Sequence, residues 1–129
     1  MKIGFTGTQR GMTPLQKEKI KELLVKWGCT EFHHGDCVGA DATASTLAEL
    51  AGIRIVCHPP INSYKRAFMP CDEMRVEKDY LVRNHDIVDE TDMMLATPGE
   101  CEEVLRSGTW ATIRYARRMK KVVEIVFPG

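Results

Sequence analysis

Apolar residues along this chain follow two alternating rhythms, short runs with the period of a strand and longer stretches with helical spacing. Residues 2–6, reading Lys-Ile-Gly-Phe-Thr, predict a first strand. Leu15, Ile20, Leu23, Leu24 and Trp27 then form the buried side of an amphipathic helix whose lysines and glutamates face water. Thr13-Pro14 starts that helix, a capping residue followed by proline at the first helical position, and Gly28 stops it. Residues 30–34 predict a second strand, and an alanine-rich segment, 40–51, predicts a helix ended by Gly52. The Ile-Arg-Ile-Val-Cys alternation of residues 53–57 is a third strand, followed by a Pro- and Asn-containing loop to Pro70 that runs over the strand ends. Residues 72–89 predict a charged helix with Met74, Tyr80, Leu81, Ile87 and Val88 on its apolar side. A fourth strand at 92–97 closes at Pro98-Gly99. A last helix follows Ser107, with Trp110, Ile113, Ala116 and Arg117 at helical spacing, and residues 122–127 predict a fifth strand.

This alternation predicts an α/β fold, a mainly parallel five-stranded sheet with helices on both faces. Strand order 3-2-1-4-5 places the switch point between strands one and four. Ligands of such sheets sit in the crevice outside the strand ends at that point.

Composition narrows the function classes. A chain of 129 residues is expected to be one domain, 1–129, with a real hydrophobic core. Eighteen basic residues balance eighteen acidic ones, so no overall field favours nucleic acid, a membrane or an acidic partner. No apolar run approaches transmembrane length, and the N-terminus reads as a strand instead of a signal peptide. Five cysteines without a CxxC pair suggest reduced thiols and a cytoplasmic location.

Chemistry is concentrated in three glycine turns at strand ends. In the first, Gly7, Thr8 and Gln9 open the backbone and Arg10 can reach an anion held there. The second, after strand two, carries Gly35, Asp36, Gly39 and Asp41; its carboxylates can hold a ribose hydroxyl or cap the helix. The third is Ser107-Gly108-Thr109-Trp110, where unpaired N–H groups and the helix dipole suit a phosphate, and where Ser107 or Thr109 can cap the helix. Arg83 and Asn84 lie on the helix preceding strand four and can project to the strand ends. His33, His34, Asp36, Cys37 and His58 bring zinc to mind, but their spacing matches no standard ligand pattern. Adjacent strand histidines also point to opposite faces, so no metal and no resident cofactor is expected.

Four of these features occur in one order: Thr-Gly-Thr-Gln-Arg ending strand one, Gly-Asp-Cys-Val-Gly-Ala-Asp after strand two, Arg83-Asn84-His85-Asp86-Ile87-Val88 before strand four, and Ser107-Gly108-Thr109-Trp110. Together they resemble the SLOG superfamily of Rossmann-like proteins, which includes DprA-like DNA-processing proteins, YpsA- and YspA-like proteins and the lysine-decarboxylase-like LOG phosphoribohydrolases. The resemblance implies a three-layer Rossmann-like domain and a homodimer. It also implies a nucleotide or nucleotide-derived ligand, bound or sensed between the first and last glycine turns. In the LOG enzymes a Pro-Gly-Gly-x-Gly-Thr-x-x-Glu motif supplies phosphate-binding glycines and a catalytic glutamate. Gly108-Thr109 matches its Gly-Thr, Pro98-Gly99 its start, and Arg83 matches an arginine on the preceding helix. The glutamate falls on Thr112, and residues 100–107 are inserted, so Glu100 and Glu103 are the candidates to replace it beside Arg83 as catalytic groups. Cleavage of a nucleoside monophosphate at its N-glycosidic bond, LOG-like or deoxyribosyltransferase-like, is therefore the alternative to simple binding. A DprA-like DNA-binding role is the third reading, disfavoured by the neutral charge balance.

Overall fold

The computed structural model describes residues 1–129, in which six strands and four α-helices follow one another as the sequence pattern requires. In chain order they are β1 (Lys2–Gly7), α1 (Pro14–Lys26), β2 (Glu31–His34), α2 (Ala40–Leu50), β3 (Arg54–Cys57), β4 (Glu73–Met74), α3 (Tyr80–Asp89), β5 (Met93–Thr97), α4 (Gly108–Arg118) and β6 (Val122–Ile125). Every pairing is parallel and the sheet order is β4-β3-β2-β1-β5-β6. The five expected strands thus keep their expected order, and one unforeseen strand is added at the edge beside β3.

Pleating sorts the central strands between two helical layers. Met93 and Leu95 join Ile3, Phe5 and Phe32 in a core shared with Ile20 and Leu24 of α1 and Ala44 and Ala48 of α2. Met94 instead packs with Ile87 and Val88 of α3 and Ala116 of α4, while Ala96 packs with Trp110 and Ile113. Covered on both faces, β5 is buried at every position, which is why it reads as an unbroken apolar run.

Two sequence expectations are corrected here. Helix over 72–89 holds only for Tyr80–Asp89. Upstream, the Asp72 carboxylate accepts the Ile55 N–H at 2.8 Å and the Arg75 N–H donates to Cys57 O at 2.9 Å, so this stretch is drawn into the sheet. Met74, Tyr80 and Leu81 are consequently exposed, leaving Ile87 and Val88 as the buried face. The second correction concerns α1, where Leu15 is half exposed and Gln16 takes the buried place.

Gln16 is a polar tie in an otherwise apolar layer. Its Oε1 accepts the Thr13 N–H at 2.9 Å, completing a capping box with the Thr13 hydroxyl. Its Nε2 donates to Pro98 O and Val126 O, both at 2.8 Å, joining α1 to the segments that leave β5 and β6. Gln16→Leu should therefore destabilise the protein by about 2–4 kcal/mol in urea unfolding, because two buried carbonyls lose their donor. Thr13→Ala, which removes only the cap hydroxyl, should cost about 1 kcal/mol.

Candidate functional site

β1 and β5 pair in parallel along their length, and a cleft of about 630 Å³ opens over the C-terminal end of β1. Residues 7–10 leave β1 along its floor. The Thr8 N–H reaches across to Thr97 O at 3.1 Å, and Thr8 O accepts the Ala40 N–H at 3.0 Å, so the turn is pinned to both neighbours. Gly39 has φ 93°, and a side chain there would collide with the Gln9 backbone, so the first and second turns pack main chain to main chain. Opposite stands the N-terminus of α4, where Ser107 Oγ accepts the Trp110 N–H at 3.2 Å. Ser107 is therefore the cap, and Thr109 sits inside the first turn. Gly35, Cys37 and Asp41 close one side, Arg83 and Asn84 of α3 the back, and Asn62, Lys65, Asp79, Tyr80 and Arg106 the rim.

Arg83 is the most constrained of these groups. It is 5% exposed. Nη1 donates to Gly35 O and, at 3.2 Å, to His58 O; Nη2 lies 3.4 Å from Cys37 Sγ; Nε has no partner. None of the ion pairs within 4.0 Å involves this guanidinium, whereas Arg10, Arg66, Arg75 and Arg114 all have a carboxylate. Space for it exists because residue 35 is glycine, where a Cβ would strike the guanidinium.

Asp41 lies inside the first turn of α2 and does not cap it; the N-cap is Gly39. Its Oδ2 turns back to accept the Gly35 and Cys37 N–H groups at 3.1 and 3.2 Å. Burial pushes its carboxyl up to about 6, outweighing the opposite pull of Arg83 and of the two N–H donors. Burial likewise raises the Cys37 thiol, which makes it a poor nucleophile.

The cleft gathers Gly7, Thr8, Gln9, Arg10, Gly35, Asp41, Arg83, Asn84, Ser107, Gly108 and Thr109 from the expected set. The other expected residues stand behind or beside it. Asp36 is fully buried, paired with Arg66 Nε at 2.9 Å and accepting the Met69 N–H at 2.9 Å, so it anchors the loop after β3. Pro98 gives its carbonyl to Gln16, and buried Trp110 donates Nε1 to Glu100 at 3.0 Å. Glu100 also pairs with Arg10, whereas Glu103 pairs with Arg114 at 2.7 Å away from the cleft. Thr112 donates its hydroxyl to Gly108 O at 2.9 Å. The carboxylates lining the cleft are therefore Asp41 and Asp79, against the cations Arg10, Lys65, Arg83 and Arg106. Lys65 and Arg106 are not among the expected site residues, although Lys65 belongs to the loop over the strand ends and Arg106 precedes the capping serine.

Behind the wall formed by Gly35 and His58, the His33 and His58 rings meet at 2.8 Å between Nδ1 and Nε2. Burial lowers both, His58 to about 3. His34 points to the other face of β2, toward Phe32.

A scan of the sequence against family models finds no match, and a search of curated proteins finds none. Solved structures do match in three dimensions. A molybdenum cofactor binding protein from Rippkaea orientalis superimposes with a TM-score of 0.73 and 22% identity, over 99% of this chain and 77% of that one. A Moco carrier protein from Chlamydomonas reinhardtii gives a TM-score of 0.70 and 19% identity, over 97% and 75%. DNA processing protein A from Helicobacter pylori, described for its single-stranded DNA binding, gives 0.67 and 20%, over 97% of this chain and 64% of that one. The chain shares the three-layer, Rossmann-like α/β fold of these structures.

Proposed function

We propose that the protein binds a phosphate-bearing nucleotide or nucleotide-derived ligand in the cleft between β1 and α4. The observation that carries this reading is Arg83, a buried cation on the cleft wall with neutral hydrogen-bond acceptors and no carboxylate within 4.0 Å. Asp41 is near but makes no direct ion pair with it, a buried charge without one is costly, and an anionic ligand supplies it. The free N–H groups at the α4 N-terminus and the excess of cations over carboxylates favour the same chemistry. Because two proteins of this fold bind or carry the molybdenum cofactor, the ligand panel should include such a cofactor beside nucleotides.

Binding is favoured over glycosidic cleavage because the position matching the LOG glutamate is Thr112, while Glu100 and Glu103 pair with arginines. The second reading is single-stranded DNA. The neutral overall charge argued against it, but the cleft itself is locally positive and one protein of this fold is described as binding such DNA. A steep loss of oligonucleotide affinity with rising salt would favour it over a mononucleotide. We also propose a homodimer, using the exposed Leu81 and Val82 of α3. Ala40, Ala44 and Ala48 of α2 are taken up by the core and are not available for pairing. Light scattering at the mass of one chain would reject the dimer.

Three measurements test the cleft. Arg83→Met should weaken nucleotide binding by about 1.5–3 kcal/mol in calorimetry, and Arg83→Lys should recover part of it. Unchanged affinity in a folded Arg83→Met protein would end this reading. At Gly108 a Cβ would meet only Tyr80, at 3.8 Å, so Gly108→Val should fold with a near-native melting temperature yet lose the ligand to steric block. Finally, the raised Asp41 carboxyl has a defined sign. Folding favours its protonated form, so its contribution is greatest below about pH 4 and falls by about 2–3 kcal/mol as pH rises to about 6. Subtracting the pH–stability curve of Asp41→Asn from that of the parent isolates this slope. A flat difference across pH 4–6 would contradict it.

A further inference from the structure

Away from the cleft, on the α3 side of β2 and β3, two buried imidazoles and a carboxylate converge. One nitrogen each from His33 and His58 and one oxygen of Glu90 lie within 4.8 Å of one another. His33 and His58 are almost wholly buried, while Glu90, just past α3, is a third exposed and leaves a path from solvent.

The hydrogen bonds fix which atoms carry protons. His33 Nε2 lies 2.7 Å from Glu31 Oε1, so this nitrogen carries the hydrogen and Nδ1 presents a lone pair inward. His33 Nδ1 then accepts from His58 Nε2 at 2.8 Å. His58 Nδ1, on the other side of that ring, lies 3.9 Å from Glu90 Oε2.

Each donor is also held from behind. Glu31 orients His33; Arg75 donates Nε and Nη2 to Glu90 Oε1 at 2.9 and 2.7 Å, leaving Oε2 free; His58 gives its N–H to His34 O at 2.8 Å and its carbonyl to Arg83. Ligands braced by outer hydrogen bonds are the usual build of a metal site. Glu31 and Glu90 face Arg54 and Arg75, and both arginines share their charge with Glu73. We infer that His33, His58 and Glu90 form a binding site for a divalent first-row transition metal, with water completing the coordination on the Glu90 side. Imidazole and carboxylate donors suit zinc, cobalt, nickel or iron in preference to calcium or magnesium. Binding takes His33 Nδ1 and His58 Nε2 as the imidazole ligands: the hydrogen between the rings moves from His58 Nε2 to His58 Nδ1, on the Glu90 side, and the rings part by about half an ångström, to the spacing of two nitrogens on one ion.

The inference does not rest on the ligand reading of the cleft, and its test leaves that cleft intact. The reduced protein is titrated with Co²⁺ and followed by absorption. One equivalent should bind with visible d–d bands and no thiolate charge-transfer band, and Zn²⁺ should displace it. Glu90→Ala, a change at a partly exposed position, should abolish saturable binding while circular dichroism stays native. Glu31→Gln, which touches only the far nitrogen of His33, should weaken Co²⁺ roughly 10–100-fold. Absence of Co²⁺ binding overturns the inference. So does a thiolate band, which would place the ion on cysteines, or unchanged affinity in folded Glu90→Ala.

Discussion

A single buried guanidinium links most of what is distinctive in this structure. Arg83 reaches from α3 to carbonyls that follow β2 and β3, so one side chain sets the spacing between a helix and two strand ends. Three sequence features make this possible: glycine at 35, a chain reversal at His58-Pro59, and a helix that begins only at Tyr80. The last matters most. Had the helix started at residue 72, the segment carrying β4 and Arg75 could not have joined the sheet. The same brace leaves the guanidinium without a direct ion pair at the cleft wall, so structural need and the proposed ligand chemistry meet in one residue.

Much of the fold was legible because its signals are local. Proline after threonine, glycine after Trp27 and the alternation in residues 53–57 each mark an element edge through backbone chemistry that neighbours do not alter. What the sequence hid depends on contacts distant in the chain. The strand at Glu73–Met74 is two residues long and owes its place to Asp72 and Arg75 bonding to β3, which no periodicity reveals. Gln16 looks like a surface residue by type, yet it is buried because two carbonyls more than eighty residues away need its amide.

The site was readable in outline and misread in detail for the same reason. Glycine turns announce where backbone can approach a ligand, and all three do reach the cleft. Carboxylates announce nothing about direction. Asp36 and Asp41 are five residues apart in one turn, yet one is bound into the loop after β3 and the other faces the cleft. Glu90 escaped notice as one acid among eighteen, and only the close of α3 against β3 brings it beside His58.

The short strand β4 has a consequence for how the molecule behaves among its own copies. A parallel sheet ends in a row of unpaired main-chain groups that another extended chain can adopt, the first step toward aggregates. Here that border is only two residues long, and Glu73 stands in it between Arg54 and Arg75. An incoming strand would have to break these ion pairs and would find almost no ladder in return. The β4 edge of the sheet is thereby closed to extension, and on that side a crowded solution of this protein meets charge where it would otherwise meet bare backbone.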